Sequence, residues 1–197
     1  MDFFPLLSFL LLVFLLSARI VFLKRKGIRV GSGTGELSSG TILLYLVFLL
    51  VLLVFLFELV NQAIHLSFSL IPESITNPLV DSAILKILGF LVVIVSLVLF
   101  TLALLHFKES LRFGLDEKNQ GELVTTGILM FSRNPFFLSL DLYFSGLALF
   151  SPCLLFIVLA VFTVISIHFF ILKEEKFLHK VYGRKYLDYR QKVRRYF

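Results

Sequence analysis

Tryptophan is absent, and cysteine occurs once, at Cys153. A single thiol excludes an internal disulfide and any metal cluster built on several cysteines. The four histidines (His65, His106, His168 and His179) share no ligand spacing, so no metal site is expected. There is neither a nucleophile triad nor a dinucleotide-binding glycine fingerprint. Charge is scarce too: 16% of residues are charged, against about a quarter in a soluble domain. The net charge of +6 does not imply nucleic acid. The basic residues flank apolar runs, where they set topology and meet anionic lipid.

What fills the chain instead is long apolar sequence. Hydrophobic residues make up 58%, and the mean hydropathy is +0.96. Because the apolar residues come in runs, the class is integral membrane protein. The 24 phenylalanines suit lipid-facing surface more than a shaped cavity.

Five runs follow in order. Phe3–Leu23 has the length of a span, which needs about 20 residues. It lacks the basic start and small-residue cleavage site of a signal peptide. Thr41–Val60 and Ala83–Leu105 are the second and third spans. Phe136–Phe150 is shorter, roughly 22 Å as a helix. Ser151-Pro152 breaks it, since proline cannot continue a helix, and Cys153–Leu172 is the fifth run. The last two therefore predict a tight helical hairpin. The Gly/Ser-rich stretch 27–40 reads as a linker; its Gly31–Gly35 run only loosely suggests a phosphate loop. Residues 173–197 predict an amphipathic helix, with Phe177, Val181, Tyr186, Tyr189 and Val193 on one side and Gly183 interrupting it. The expected fold is all-α and membrane-integral, with five transmembrane helices and a C-terminal amphipathic cytoplasmic helix. Its two parts are 1–107, three helices with connectors, and 108–197, the functional core.

Lysine and arginine cluster after the first span, between the third and fourth, and from Lys173 onward. The other connections have none, apart from Lys86. By the positive-inside rule the N-terminus is outside and the C-terminus cytoplasmic. The expected location is the inner or plasma membrane of a bacterium or archaeon. Leu123–Asn134 and Lys173–Arg195 then face one compartment and can meet.

These two clusters carry the chemistry. Ser132-Arg133-Asn134-Pro135 has the form of a helix start, with Asn134 as N-cap and Pro135 at the first position. Arg133 at the edge of an apolar hairpin needs an acidic partner or an anionic ligand. Glu174 and Glu175 end the facing helix and are its expected neighbours, as a structural ion pair or as a polar pocket. Asn134, Phe137, Leu138, Asp141 and Ser145 share a face of the fourth helix; Thr163, Ser166, Phe170 and Glu174 share one on the fifth. Asp141 in an apolar run points to function, although small polar residues on such stripes also serve helix packing.

The ordered set Leu123-Val124-Thr125, Gly127, Arg133-Asn134-Pro135, Glu174-Glu175 with Leu178, Tyr182-Gly183, Tyr186 with Tyr189, and Val193-Arg194-Arg195 resembles the isoprenylcysteine carboxyl methyltransferase superfamily and phospholipid methyltransferases. The resemblance implies a membrane methyltransferase using S-adenosylmethionine and a membrane lipid or prenylated acceptor. By position it implies cofactor contacts at Gly121, Glu122, Leu123, Val124, Leu129, Asn134, Pro135, Phe136, Phe137 and Glu174, and catalytic roles for Arg133, Glu174 and Glu175. The isoprenylcysteine enzymes carry His at the position of Asn134, Tyr at those of Leu129 and Phe137, and Arg at that of Phe170. Two alternatives stay open: a non-catalytic lipid-binding protein on the same fold, and a nicotinamide-dependent membrane reductase.

Overall fold

The computed structural model describes residues 2–28, 39–66, 68–111 and 122–196. The Gly31–Gly35 run and Gly121 lie outside them. Every regular element among the described residues is helical. That is the answer to long apolar sequence in hydrocarbon, where only a helix or a closed barrel satisfies all backbone groups. The helices are α1 (Phe4–Arg25), α2 (Ser39–Ile64), the single turn α3 (Glu73–Thr76), α4 (Ala83–His106), α5 (Pro135–Phe150), α6 (Leu154–Tyr182) and α7 (Arg184–Lys192). Two 3-10 turns, Lys108–Ser110 and Gly127–Met130, follow α4 and precede α5.

Local sequence sets the ends. Pro5 and Pro135 stand in the first turns of α1 and α5, where a missing N–H costs nothing. Lys24 and Arg25 close α1, favourable against the helix dipole, and His106 ends α4. Gly183, at φ +52°, separates α6 from α7, a conformation that favours glycine. The α5–α6 turn is only Ser151-Pro152-Cys153.

Among the described residues α1, α4 and α6 are long and apolar enough to cross a bilayer; the apolar helical stretches 49–64 and 135–150 are shorter. Many large side chains point outward, with Ile84 70% and Phe162 67% exposed. Water would not tolerate so much exposed apolar surface, whereas lipid does. This is a membrane protein.

The centre of the bundle is the α4–α5 contact. A Cβ at Gly89 would lie 2.6 Å from Phe150 Cα and 2.7 Å from the Gly146 carbonyl oxygen. Two glycines facing each other let the backbones touch, as small residues do between membrane helices. Around that seam lie Val93, Phe100, Tyr143, Leu147 and Phe156, all at most 1% exposed. Phenylalanine serves the interior as well as the lipid face. Phe4 packs on Phe90 at 4.7 Å and Phe150 at 5.1 Å, and Phe55 meets Phe9 edge-on at 5.1 Å. Some polar groups inside are paired: the Tyr143 hydroxyl lies 3.0 Å from Ser8 Oγ. Glu58 of α2, 1% exposed, accepts from Gln62 at 3.2 Å.

Long-range pairs show which ends lie together. At one end, Arg19 donates to the Lys108 carbonyl and Lys26 pairs with Glu109 at 2.8 Å. At the other, Asp2 meets His65 at 3.6 Å, and the Leu79 N–H donates to the Pro152 carbonyl at 2.8 Å. Lys86, the lone basic residue of that end in the sequence pattern, is paired with Asp81 at 2.9 Å. The start of α5 and the end of the α6 apolar stretch fall at the basic end, which brings the two polar clusters together.

Candidate functional site

The approach to α5 is built from a short irregular piece and a tight turn. Residues 122–125 have no regular structure. Gly127 then takes φ +67° with its Cα against the His106 ring, where any Cβ would overlap the imidazole. The turn this allows buries Leu129, 3% exposed, whose carbonyl accepts from the Tyr189 hydroxyl at 2.6 Å. Burial pushes the Tyr189 hydroxyl up from the usual phenol range.

Asn134 stands at the N-cap of α5, but its side chain does not cap the helix. Its Nδ2 donates to the Arg195 carbonyl at 3.1 Å, and Ser132 Oγ donates to the same carbonyl at 3.3 Å. The Arg133 N–H donates to the Arg194 carbonyl at 3.0 Å. The tail after α7 therefore returns as a strap across the start of α5. The capping expectation gives way because a second chain segment offers these polar groups a tertiary partner.

Beneath the strap lies a buried ion cluster. Arg133 Nη2 is 3.1 Å from Glu175 Oε1, with both side chains 7% exposed. Arg195 forms a fork on the same carboxylate, Nε to Oε1 at 3.1 Å and Nη2 to Oε2 at 2.8 Å. This hydrogen bond to Glu175 holds the Arg195 guanidinium above its ordinary value. Arg133 also reaches the Tyr186 hydroxyl at 3.4 Å, while its Nε is buried with no hydrogen-bond partner among the described residues. Of the two expected acidic neighbours Glu175 takes the pair, and Glu174 makes no ion pair among the described residues.

The expected cofactor residues do not all meet. Glu122, Leu123 and Val124 line a cavity of about 970 Å³ with Thr125, Arg19 and Lys108. Leu129 lies in the turn behind it. Asn134 and Pro135 sit under the strap. Phe136, 7% exposed, packs into the core against Phe100 at 5.2 Å, and Phe137 lies against Phe170 at 5.3 Å. Phe170, where an arginine was noted in the resembling enzymes, is thus an aromatic neighbour of α5. Glu174 and Glu175 belong to the α6 side of the cluster.

Three residues went unassigned in the sequence reading. Arg195 doubles the positive charge on Glu175; its signal was the basic ending that it shares with Val193 and Arg194. Arg19 and Lys26 bring α1 to the cavity wall; their signals were an arginine in the last turns of an apolar run and the basic cluster that follows it.

No curated protein and no solved structure matches the chain. A family model described as phospholipid methyltransferase matches residues 84–185. The match begins in α4, takes in the turn at Gly127, Arg133, the whole α5–α6 hairpin and the Glu174-Glu175 pair, and ends at the start of α7. It spans just over half of the sequence, and on that match the chain belongs to the phospholipid methyltransferase family of membrane methyltransferases.

Proposed function

We propose that this chain is a five-span membrane methyltransferase, dependent on S-adenosylmethionine and acting on a lipid or lipidated acceptor. The cavity at Glu122–Thr126 carries this reading. Its volume, about 970 Å³, is at the upper end of small-molecule clefts. Arg19, Lys26 and Lys108 bring positive charge to its wall, and Glu109 and Glu122 negative charge. That donor set suits a ligand with a carboxylate, an ammonium and ribose hydroxyls. Arg19 Nε is buried with no hydrogen-bond partner among the described residues, a donor in want of an acceptor.

The cofactor, when bound, supplies a methyl group made electrophilic by a sulfonium sulfur. Transfer of this kind needs alignment and the exclusion of water more than it needs an acid. Arg19 and Lys108 are placed to hold a carboxylate. Glu122, on the cavity wall, can accept from hydroxyl or amino groups, a role this reading also assigns to Glu174. Arg133 is fixed by Glu175 at 3.1 Å, and its buried Nε has no hydrogen-bond partner among the described residues. Asn134 ties the start of α5 to the strap, and Phe137 packs it on Phe170 of α6. With five spans the N-terminus lies outside and the whole site faces the cytoplasm.

Calorimetry on the detergent-solubilised chain tests this. Saturable binding of S-adenosylhomocysteine is expected, weakened at least tenfold by Arg19→Gln and by Glu174→Ala. No binding at millimolar ligand sinks the reading. A labelled-methyl assay on total lipid and on small prenyl-thioether acids then identifies the acceptor. A topology reporter at residue 197 that proves extracytoplasmic overturns the orientation.

A further inference from the structure

α6 is longer than a membrane needs. Its 29 residues span about 43 Å as a helix, against about 30 Å of hydrocarbon. Phe162, Ser166, Phe169, Lys173, Lys176 and Lys180 follow one another along it at spacings of three and four, and all six are exposed. Residues so spaced share one face of a helix. The face that turns Phe162 and Phe169 to lipid, 67% and 60% exposed, therefore carries three lysines where the helix leaves its apolar stretch. A groove of about 610 Å³, bounded by Asp141, His168 and Tyr196 among others, lies beside this stripe. Phe169 stands on the rim of the groove, and Ser166 and the lysines lie outside it.

Two of these lysines have no acidic partner. Glu175, which stands between Lys173 and Lys176 in the chain, is turned inward to Arg133 and Arg195. Neither lysine forms an ion pair among the described residues. Like charges three residues apart on a helix repel, so the pair gains from an anion that both can reach. Position along the helix decides which anion. Lys173 and Lys176 lie about 6 and 10 Å beyond Phe169 along the axis, and a headgroup layer is about 5–8 Å deep. Side chains on a helix lean toward its N-terminus, and for this part of α6 that is toward the membrane. Both ammonium groups thus reach back to the level of the phosphates, with their stems along apolar surface. A free anion meets the charges alone, whereas a phospholipid meets the charges and the apolar stripe together. A zwitterionic headgroup brings its own cation against the lysines.

We propose that this stripe binds an anionic phospholipid, with its phosphate on Lys173 and Lys176 and its acyl chains along Phe162, Ser166 and Phe169. The site is apart from the cavity at Glu122–Thr126 and stands without the methyltransferase reading. Of the exposed charged side chains described from Lys173 to Lys192, Asp188 alone is negative, so the surrounding field also favours an anion. The bound lipid braces the part of α6 that reaches beyond the membrane. The inward side of that part holds Glu175, so lipid and ion cluster grip the same turns of α6 from two sides.

The chain lacks tryptophan, so Ser166→Trp places a single fluorophore on the stripe and outside the groove. The full chain carrying it is reconstituted in vesicles of phosphatidylcholine and phosphatidylglycerol, with one of the two lipids brominated on its acyl chains. Quenching reports which lipid sits beside the tryptophan. Each basic residue near the surface is worth about fivefold in affinity for anionic lipid, so phosphatidylglycerol is expected to be preferred at least fivefold. Lys173→Gln/Lys176→Gln should bring the preference within twofold. Lys24→Gln/Arg25→Gln, which removes two exposed cations at the end of α1, should leave it intact. Phe162→Trp, one turn deeper on the same stripe, carries the measurement should Ser166→Trp fail to fold. Equal quenching by the two lipids overturns the inference, as does a preference that survives the loss of both lysines or that the α1 variant abolishes as well. Inorganic phosphate should leave the quenching unchanged; displacement of the brominated lipid by phosphate assigns the lysines to a free anion and overturns the lipid site. Phosphatidylglycerol should also raise the melting temperature of the unsubstituted chain more than that of Lys173→Gln/Lys176→Gln, and an equal rise in both overturns the bracing.

Discussion

Replacing Glu175 with glutamine keeps the shape of the side chain and removes the charge that two guanidiniums share. Arg133 feels this most. Its side chain is 7% exposed, and among the described residues Glu175 is its sole acidic partner. Removing one member of a buried pair typically costs about 3–5 kcal/mol, because the remaining charge is left uncompensated away from water. Arg195 adds less: its side chain is 29% exposed, so water takes over part of its solvation. The expected loss is therefore about 3–5 kcal/mol for Glu175→Gln and about 1–2 kcal/mol for Arg195→Ala, which leaves the Arg133–Glu175 contact in place. At about 2–4 °C per kcal/mol for a chain of this size, Glu175→Gln should melt roughly 6–20 °C lower in detergent. The double variant Arg133→Met/Glu175→Gln removes both charges and should recover much of that loss, since an apolar replacement of a buried pair is often neutral. Thermal unfolding in one detergent reads all three variants against the unsubstituted chain. A Glu175→Gln loss below about 1 kcal/mol, or a double variant no more stable than the single, would refute a desolvated cluster.

Gly89→Ala should destabilise by about 1–3 kcal/mol, because the new methyl lies 2.7 Å from the Gly146 carbonyl oxygen and neither backbone can yield; a melting temperature unchanged within 2 °C would show that the helices separate freely. Tyr189→Phe deprives the buried Leu129 carbonyl of its 2.6 Å donor, an expected loss of about 1–3 kcal/mol, read by the same assay. Gly127→Ala combines a left-handed backbone with overlap of the His106 ring. It should displace the adjoining cavity wall and weaken S-adenosylhomocysteine binding at least fivefold by calorimetry, with an unaltered affinity counting against the cavity as the cofactor site.

Much of the architecture was legible because hydrocarbon leaves a chain few options. Run length fixed the helices at Phe4–Arg25, Ala83–His106 and Leu154–Tyr182 to within a few residues, save that α6 runs ten residues past the apolar stretch. It does so because Lys173–Tyr182 contains no breaker before Gly183, and a helix already formed extends at small cost. Ser151-Pro152 marked the hairpin turn, and the pattern of lysine and arginine put Arg133 and the Glu174-Glu175 pair at one end. Asn134 was the instructive miss. As a local signal it reads as a cap, yet its amide serves the Arg195 carbonyl, a partner 61 residues away that no local pattern announces.

The sequence by itself determined the membrane class, the helical runs and the end of the bundle where charge gathers, since these follow from hydropathy and from the cost of moving charge across a bilayer. Only the tertiary structure decided which of two adjacent glutamates faces Arg133. Neighbouring residues on a helix point about 100° apart, and it is the packing of α6 against α5 that turns Glu175 inward. Tertiary structure alone also brought Asp141, His168 and Tyr196 to one groove from three separate segments. A strap that crosses the start of α5 is invisible to periodicity, because it owes its place to long-range hydrogen bonds rather than to any pattern within itself.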